Sequence, residues 1–237
     1  MSRTSQIFLA LCVAWATSTA IAHAQDTPRW EHVLRAHVSA GRVDYAALGH
    51  DAAARADLDA YVTSLAAMPD AAPLGAWIDA YNALVVHAIV RAYPIRSVRD
   101  VPGFFDHARY AVAGRERTLD EIENEVLRER FHDARVHAAL VCGARSCPPL
   151  ARTPYARRPL DVALDRAVRQ LLQSERAVRV TTSEVWLSQI FDWFRADFAR
   201  DAGSLSEWLG AHDRRFTPAV RALPVHFLGY DWALNAP

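Results

Sequence analysis

No lysine occurs in this chain of 237 residues; all 27 of its basic residues are arginine. Lysine chemistry is thereby excluded: no Schiff base, no phosphate-loop lysine, no Ser-Lys dyad. G-x-S-x-G, G-x-G-x-x-G and G-x-x-x-x-G-K-[ST] are absent as well, which argues against nucleotide-dependent chemistry, and no cofactor is expected. Neither sign of charge is in excess, with 27 Asp and Glu against 27 Arg. A nucleic-acid partner or an anionic membrane surface calls for surplus positive charge on one face, so neither is expected. Internal repeats, low-complexity tracts and long linkers are missing too.

Only one stretch resembles a targeting segment. Arg3 precedes the apolar run Ile7 to Ala16, which is too short to span a bilayer, and Ala22-His23-Ala24 matches an A-x-A cleavage pattern. Residues 1–24 therefore read as a cleaved secretory signal peptide. Leu11 before Cys12 is too bulky for a lipidation site. The remainder, 25–237, is expected as a single globular domain without stable membrane insertion, periplasmic or secreted. Removing 24 of the 237 residues leaves 213, enough to bury a sizeable core. Of three cysteines only Cys142 and Cys147 stay in that domain, and in an oxidising compartment a disulfide between them is the default expectation.

Periodicity predicts helices over Pro28 to Ala40, Asp51 to Met68 and Leu74 to Tyr93, the last stopped by Pro94. The third helix carries Ile78, Asn82, Val85, Val86 and Ile89 on one stripe, apolar except for Asn82. Arg109 to Ala113 and Glu116 to Leu119 flank Gly114 as a hairpin. Thr118-Leu119-Asp120-Glu121 is a capping box opening a helix through Arg130. Arg135 to Cys142 reads as a buried strand. Asp161 to Ser174 follows as a helix, and Val178 to Val180 with Val185 to Leu187 as a hairpin. Ile190, Phe191, Phe194 and Phe198 lie at helical spacing, with the surrounding Trp and Phe residues assigned to the core. Asp192 and Arg195 read as an exposed ion pair. Ser204 caps a further helix, and Val225 to Tyr230 is a last strand. The expected fold class is α+β: a helical N-terminal half packed on a small mixed or antiparallel sheet with hairpins.

Chemistry concentrates in His137 to Pro149. In this reading a strand delivers the chain to Cys142, Gly143 permits a turn, and Ser146 or Cys147 caps a helix with Pro148 at its first position. A thiol at a helix N-terminus is stabilised as thiolate, and His137 is the candidate base. Residues 137 and 142 point to opposite faces of an extended strand, so their pairing requires a bulge or turn. Three readings of the sulfurs remain open: a structural disulfide, a reactive or redox thiol, and metal ligation. The last has no C-x-x-C, H-E-x-x-H or repeated ligand pair behind it. Asn82 on an apolar stripe must find partners if buried; it either pins a neighbouring loop or orients a catalytic histidine.

Several blocks together resemble the domain-of-unknown-function 547 family. They are Trp77-Ile78-Asp79-Ala80-Tyr81-Asn82-Ala83, Tyr93 to Val98, Leu119 to Glu123, His137 to Gly143 with Ser146-Cys147-Pro148, Leu187 to Phe194 and Tyr230 to Asn235. Asp79 stands where the family usually carries Asn, which weakens any role for that amide. The resemblance implies one continuous domain and draws attention to Asn82, His137, Cys142 and Cys147. It supplies no substrate.

Two functional expectations follow, with a third behind them. One is a thiol-dependent hydrolase or acyl transferase of the cell envelope acting on a small-molecule or peptide substrate, with Cys142 or Cys147 as nucleophile and His137 as base. The alternative is a non-catalytic envelope binding domain in which Cys142 and Cys147 form a disulfide. The third is a thiol–disulfide exchange protein, although the spacing differs from C-x-x-C.

Overall fold

The computed structural model describes residues 26–237, so the signal-peptide reading of 1–24 lies outside the described residues. The chain opens with helix α1 (26–37). A short hairpin of β1 (Val38–Ser39) and β2 (Arg42–Val43) follows, where the sequence reading extended the helix to Ala40. Gly41 turns this hairpin at φ 77°, and a Cβ there would lie 2.2 Å from that of Pro149. Helices α2 (Tyr45–His50), α3 (Ala52–Ser64) and α4 (Leu74–Ala92) complete the helical half. Asp51 starts α3 by accepting from the Ala53 and Ala54 N–H groups, each at 3.0 Å.

Helix α4 is the centre of the molecule. Fifteen of its nineteen residues are buried, so it is apolar nearly all round rather than along one stripe. Each large aliphatic side chain sealed this way contributes on the order of 2 kcal/mol. Ile78, Leu84, Val85 and Ile89 are the main ones, with the aromatic Trp77 beside them.

Strands β3 (Tyr110–Val112) and β4 (Arg115–Arg117) form the expected hairpin around Gly114. Thr118 and Glu121 then exchange both capping-box hydrogen bonds at the start of α5 (Leu119–Glu121). The helix continues over Ile122–Arg128 in the wider π form. After α6 (Leu160–Gln173), β5 (Val178–Val180) pairs antiparallel with β6 (Val185–Leu187). Helices α7 (Ile190–Trp193), α8 (Arg195–Ala202), α9 (Leu205–His212) and α10 (Pro218–Arg221) intervene. Strand β7 (Val225–Phe227) then joins β6 in parallel. Helices and small hairpins, with one mixed sheet, make this an α+β fold. Among the described residues no helix is long and apolar enough to cross a membrane.

Two hydrophobic clusters form the interior. The larger gathers α1–α4 and the β3–β4 hairpin; the smaller gathers β5, β6, α8 and α9. Helix α6 serves both, giving Ala163 and Leu164 to the first and Val168, Leu171 and Leu172 to the second. The segment around residue 136 does the same, with Val136 in the first cluster and Ala134 and Ala138 in the second. The candidate chemistry lies on this seam.

Candidate functional site

The segment leading to Cys142 is not a strand. Asp133 accepts from the Arg135 N–H at 3.0 Å and caps a 3-10 turn, Ala134–Ala138, on which His137 sits. An apolar run of this length does not separate a buried strand from a buried turn by pattern alone. The missing β partner is replaced by Asn82: its Nδ2 donates to the Ala139 carbonyl and its Oδ1 accepts from Val141 N–H, both at 2.9 Å. One side chain thus supplies the donor and acceptor that a neighbouring strand would offer. Asn82 is buried and pins this loop.

Nor does a helix begin at Cys147. Cys147 N–H donates to the Ala144 carbonyl at 3.1 Å, closing a turn, and Pro148-Pro149 leave the chain extended. The next helix of any length along the chain is α6, so the sulfurs do not sit at the start of a helix. Gly143 takes φ 78°, as the turn requires; a Cβ there would come within 2.5 Å of Ile89 Cδ1. The C-terminal segment stitches this loop in place. Arg145 N–H donates to the Ala233 carbonyl at 2.8 Å, and Asn235 N–H to the Gly143 carbonyl at 2.9 Å.

Cys142 and Cys147 are joined as a disulfide, both half-buried. Tyr230 Oη lies 3.2 Å from Cys142 Sγ and 3.3 Å from Cys147 Sγ. The Cys142 N–H points at Cys147 Sγ over 2.9 Å. No hydrogen bond joins His137 to either sulfur among the described residues; the hydroxyl beside them belongs to Tyr230.

His137 instead forms a dyad with Asp197. Its Nε2 is 2.8 Å from Asp197 Oδ2, and its ring stacks on Phe194 at 3.9 Å. Arg128 Nε also donates to Asp197 Oδ2, at 2.6 Å, and Arg200 pairs with Oδ1 at 3.2 Å. Burial pushes the Asp197 carboxyl up, but the hydrogen bonds and charges of His137 and Arg128 outweigh it and hold the group well below the usual carboxylate range. For His137 burial wins over the pull of Asp197, and its pKa is lowered. The imidazole is therefore neutral at neutral pH. The tautomer that follows donates Nε2–H to ionised Asp197 and leaves Nδ1 as an acceptor.

The disulfide and the His137 ring of the dyad line one cavity of about 200 Å³; Asp197 is not in its wall. Phe105, Trp193, Phe194, Tyr230 and Trp232 form much of its wall. Trp193, assigned to the core from its spacing, is 47% exposed and stacks with Trp232 at 6.0 Å; Phe191 and Phe198 are core. Asp192 and Arg195 form the exposed ion pair, at 3.0 Å. Glu123 enters the cavity from the π-helical stretch, accepting a 2.9 Å hydrogen bond from Tyr81 Oη. Desolvation raises the pKa of Glu123 and of its neighbour Asp120. Asn82 does not line the cavity and acts through the loop it holds. Among the described residues no three His, Cys, Asp or Glu side chains gather as metal ligands would.

The sequence reading missed Asp197, Glu123, Tyr81 and Tyr230. Three of these lie inside blocks that carry the family resemblance (Tyr81, Glu123 and Tyr230), so a signal was present without an assigned role. Asp197 lies between the blocks and had none.

The family described as "Protein of unknown function, DUF547" matches residues 65–172, and over that span the chain is similar to it. The span holds Asn82, Glu123, His137, Cys142 and Cys147, whereas Asp197 and Tyr230 lie beyond it. No curated protein and no solved structure matches the chain.

Proposed function

We propose that the protein is an exported thiol-dependent hydrolase or acyl transferase of the cell envelope, held in a closed state by its Cys142–Cys147 disulfide. The observation that carries this reading is the shared cavity: the disulfide, His137 and Glu123 all line it, with Asp197 holding His137 from behind the wall. A dithiol reductant opens the pair by thiol–disulfide exchange, its own two thiols becoming a disulfide as Cys142 and Cys147 become thiols. Cys147 is the better nucleophile, because the Cys142 N–H approaches its sulfur at 2.9 Å and favours a thiolate there, whereas the Tyr230 hydroxyl is nearly equidistant from both sulfurs. The thiol proton passes to neutral His137, directly or through water. The thiolate then attacks an acyl carbon, an S–C bond forms, and the bond to the leaving group breaks as His137 returns the proton. Water or a second nucleophile releases the acyl group. A cavity of about 200 Å³ with aromatic walls suits a small molecule or one residue of a peptide. The leader at 1–24 and an internal disulfide both fit a periplasmic or secreted location.

A non-catalytic binding domain is the second reading. It is favoured by the closed disulfide and by the lack of a hydrogen bond between His137 and sulfur. A p-nitrophenyl ester distinguishes the two. The reduced protein should release p-nitrophenolate with a burst of one equivalent, absent from the oxidised protein and from Cys147→Ser. His137→Ala should slow release by roughly 10²–10⁴-fold. Equal, slow release from all four would leave the binding domain standing.

A further inference from the structure

Next to the aromatic cavity, sharing Cys147 and Pro148 with it, begins the first of two adjoining concavities of about 270 and 480 Å³. They share Gly41, Pro149, Gln170 and Ser174 and so form one groove. Arg42, Arg145 and Arg176 line the first part; Arg152, Arg158 and Arg166 line the second. Neither part has an Asp or Glu in its wall. The chain is neutral as a whole, with 27 charges of each sign, yet six arginines meet here with no carboxylate in the wall; buried Asp79, behind it, feels the charge of Arg158 alone among them. Arg42, Arg145, Arg166 and Arg176 have no side-chain hydrogen bond or ion pair among the described residues. Elsewhere Arg128, Arg130 and Arg135 are tied to aspartates at 2.6–3.0 Å.

A second observation concerns residues of the wall itself. Asn235 is only 5% exposed and lines the first part of the groove. Its Oδ1 accepts from Tyr45 Oη at 2.7 Å, but its Nδ2 has no hydrogen-bond partner. Arg158 Nε in the second part is likewise buried and unpaired. Buried donors are normally satisfied, so an orphaned amide beside clustered guanidinium groups marks a place for an acceptor.

We infer that this groove binds an elongated ligand carrying at least two oxyanion groups, phosphate or carboxylate. Its anions are held by the planar forks of Arg145 and Arg176 at one end and Arg166 at the other, with the Asn235 amide as an added donor. Concave walls of one sign focus the field and raise the local concentration of such an anion. Cys147 and Pro148 line both this groove and the aromatic cavity. An anionic segment in the groove therefore ends beside the sulfurs.

Titration calorimetry on the oxidised full chain tests this without any turnover, so its failure is separate from failure of the thiol reading. Tripolyphosphate and citrate are the two probes, and whichever binds identifies the oxyanion preferred. At low ionic strength at least one should bind with a submillimolar Kd. Affinity should fall at least tenfold in Arg145→Gln/Arg176→Gln. The control Arg115→Gln/Arg214→Gln, with the same change in net charge, should bind as the wild type does. Asn235→Asp keeps the acceptor for Tyr45 and sets a carboxylate in the wall; it should abolish binding, with its melting temperature measured in parallel to show that it is folded. Binding of neither probe, or equal losses in the groove and control variants, would overturn the proposal.

Discussion

Asp79 shows how much one buried side chain can govern. It accepts the N–H groups of Tyr155 and Ala156 at 2.9 and 2.8 Å, and so anchors the segment that leads from the cysteine loop to α6. Desolvation outweighs those two hydrogen bonds and pushes its pKa up to about 7. The folded state thus holds this proton more tightly than the unfolded chain, where the pKa is near the model-peptide value of about 4. Stability from this group is complete below about pH 4 and is lost as the pH rises toward 7. The full span is on the order of 4 kcal/mol. Denaturant titrations across pH 4 to 8 should show that decline in the wild type and a flatter profile in Asp79→Asn; parallel profiles would contradict the assignment. Asn82→Ala removes the side-chain partners of the Ala139 carbonyl and the Val141 N–H, at a cost of roughly 2–4 kcal/mol. The Val141 amide should then exchange with solvent faster than its neighbours on α4. Unchanged protection there would mean that the loop holds itself.

At the scale of elements, periodicity and capping marked what is locally determined. Helices α3 and α4, the Gly114 hairpin, the Thr118 capping box and the β5–β6 pair were all legible, because each is written in a cap, a turn residue or a run of apolar spacing. The candidate site was legible as residues but not as shape. The run from Arg135 to Cys142 has the composition of a buried strand, and nothing local reveals that Asn82, far back in the chain, supplies its hydrogen bonds. Asp197 contacts His137 across 60 positions, and Tyr230 reaches the sulfurs across more than 80. Such contacts depend on how the two core clusters meet, which no window of sequence contains. The π-helical stretch is another case: it carries Glu123 into the cavity, and such widened turns gather at functional positions. The cysteine loop, for its part, closes over few residues. Replacing both cysteines by serine should cost about 2 kcal/mol on the loop-entropy scale, read as a lower denaturation midpoint at an unchanged slope. A loss well beyond that would show that the sulfurs are mainly packing groups.

For the molecule as a whole, the site lies where two hydrophobic clusters meet. The turn bearing His137 and helix α6 belong to both clusters, so the dyad and the disulfide are set by the packing of each half on the other. An acid- and aromatic-lined cavity and an arginine-lined groove meet at Cys147 and Pro148. The central claim is that this disulfide is a reducible pair whose reduction frees the Cys147 thiolate as nucleophile, rather than a staple. The most direct measurement is the pH dependence of iodoacetamide labelling, resolved by peptide mass, after mild reduction of the folded protein. Cys147 should alkylate faster than Cys142, with a midpoint below the roughly 8.5 of an ordinary thiol, and Tyr230→Phe should raise that midpoint. Slow labelling of both cysteines with midpoints at or above 8.5, unmoved by Tyr230→Phe, would contradict the account.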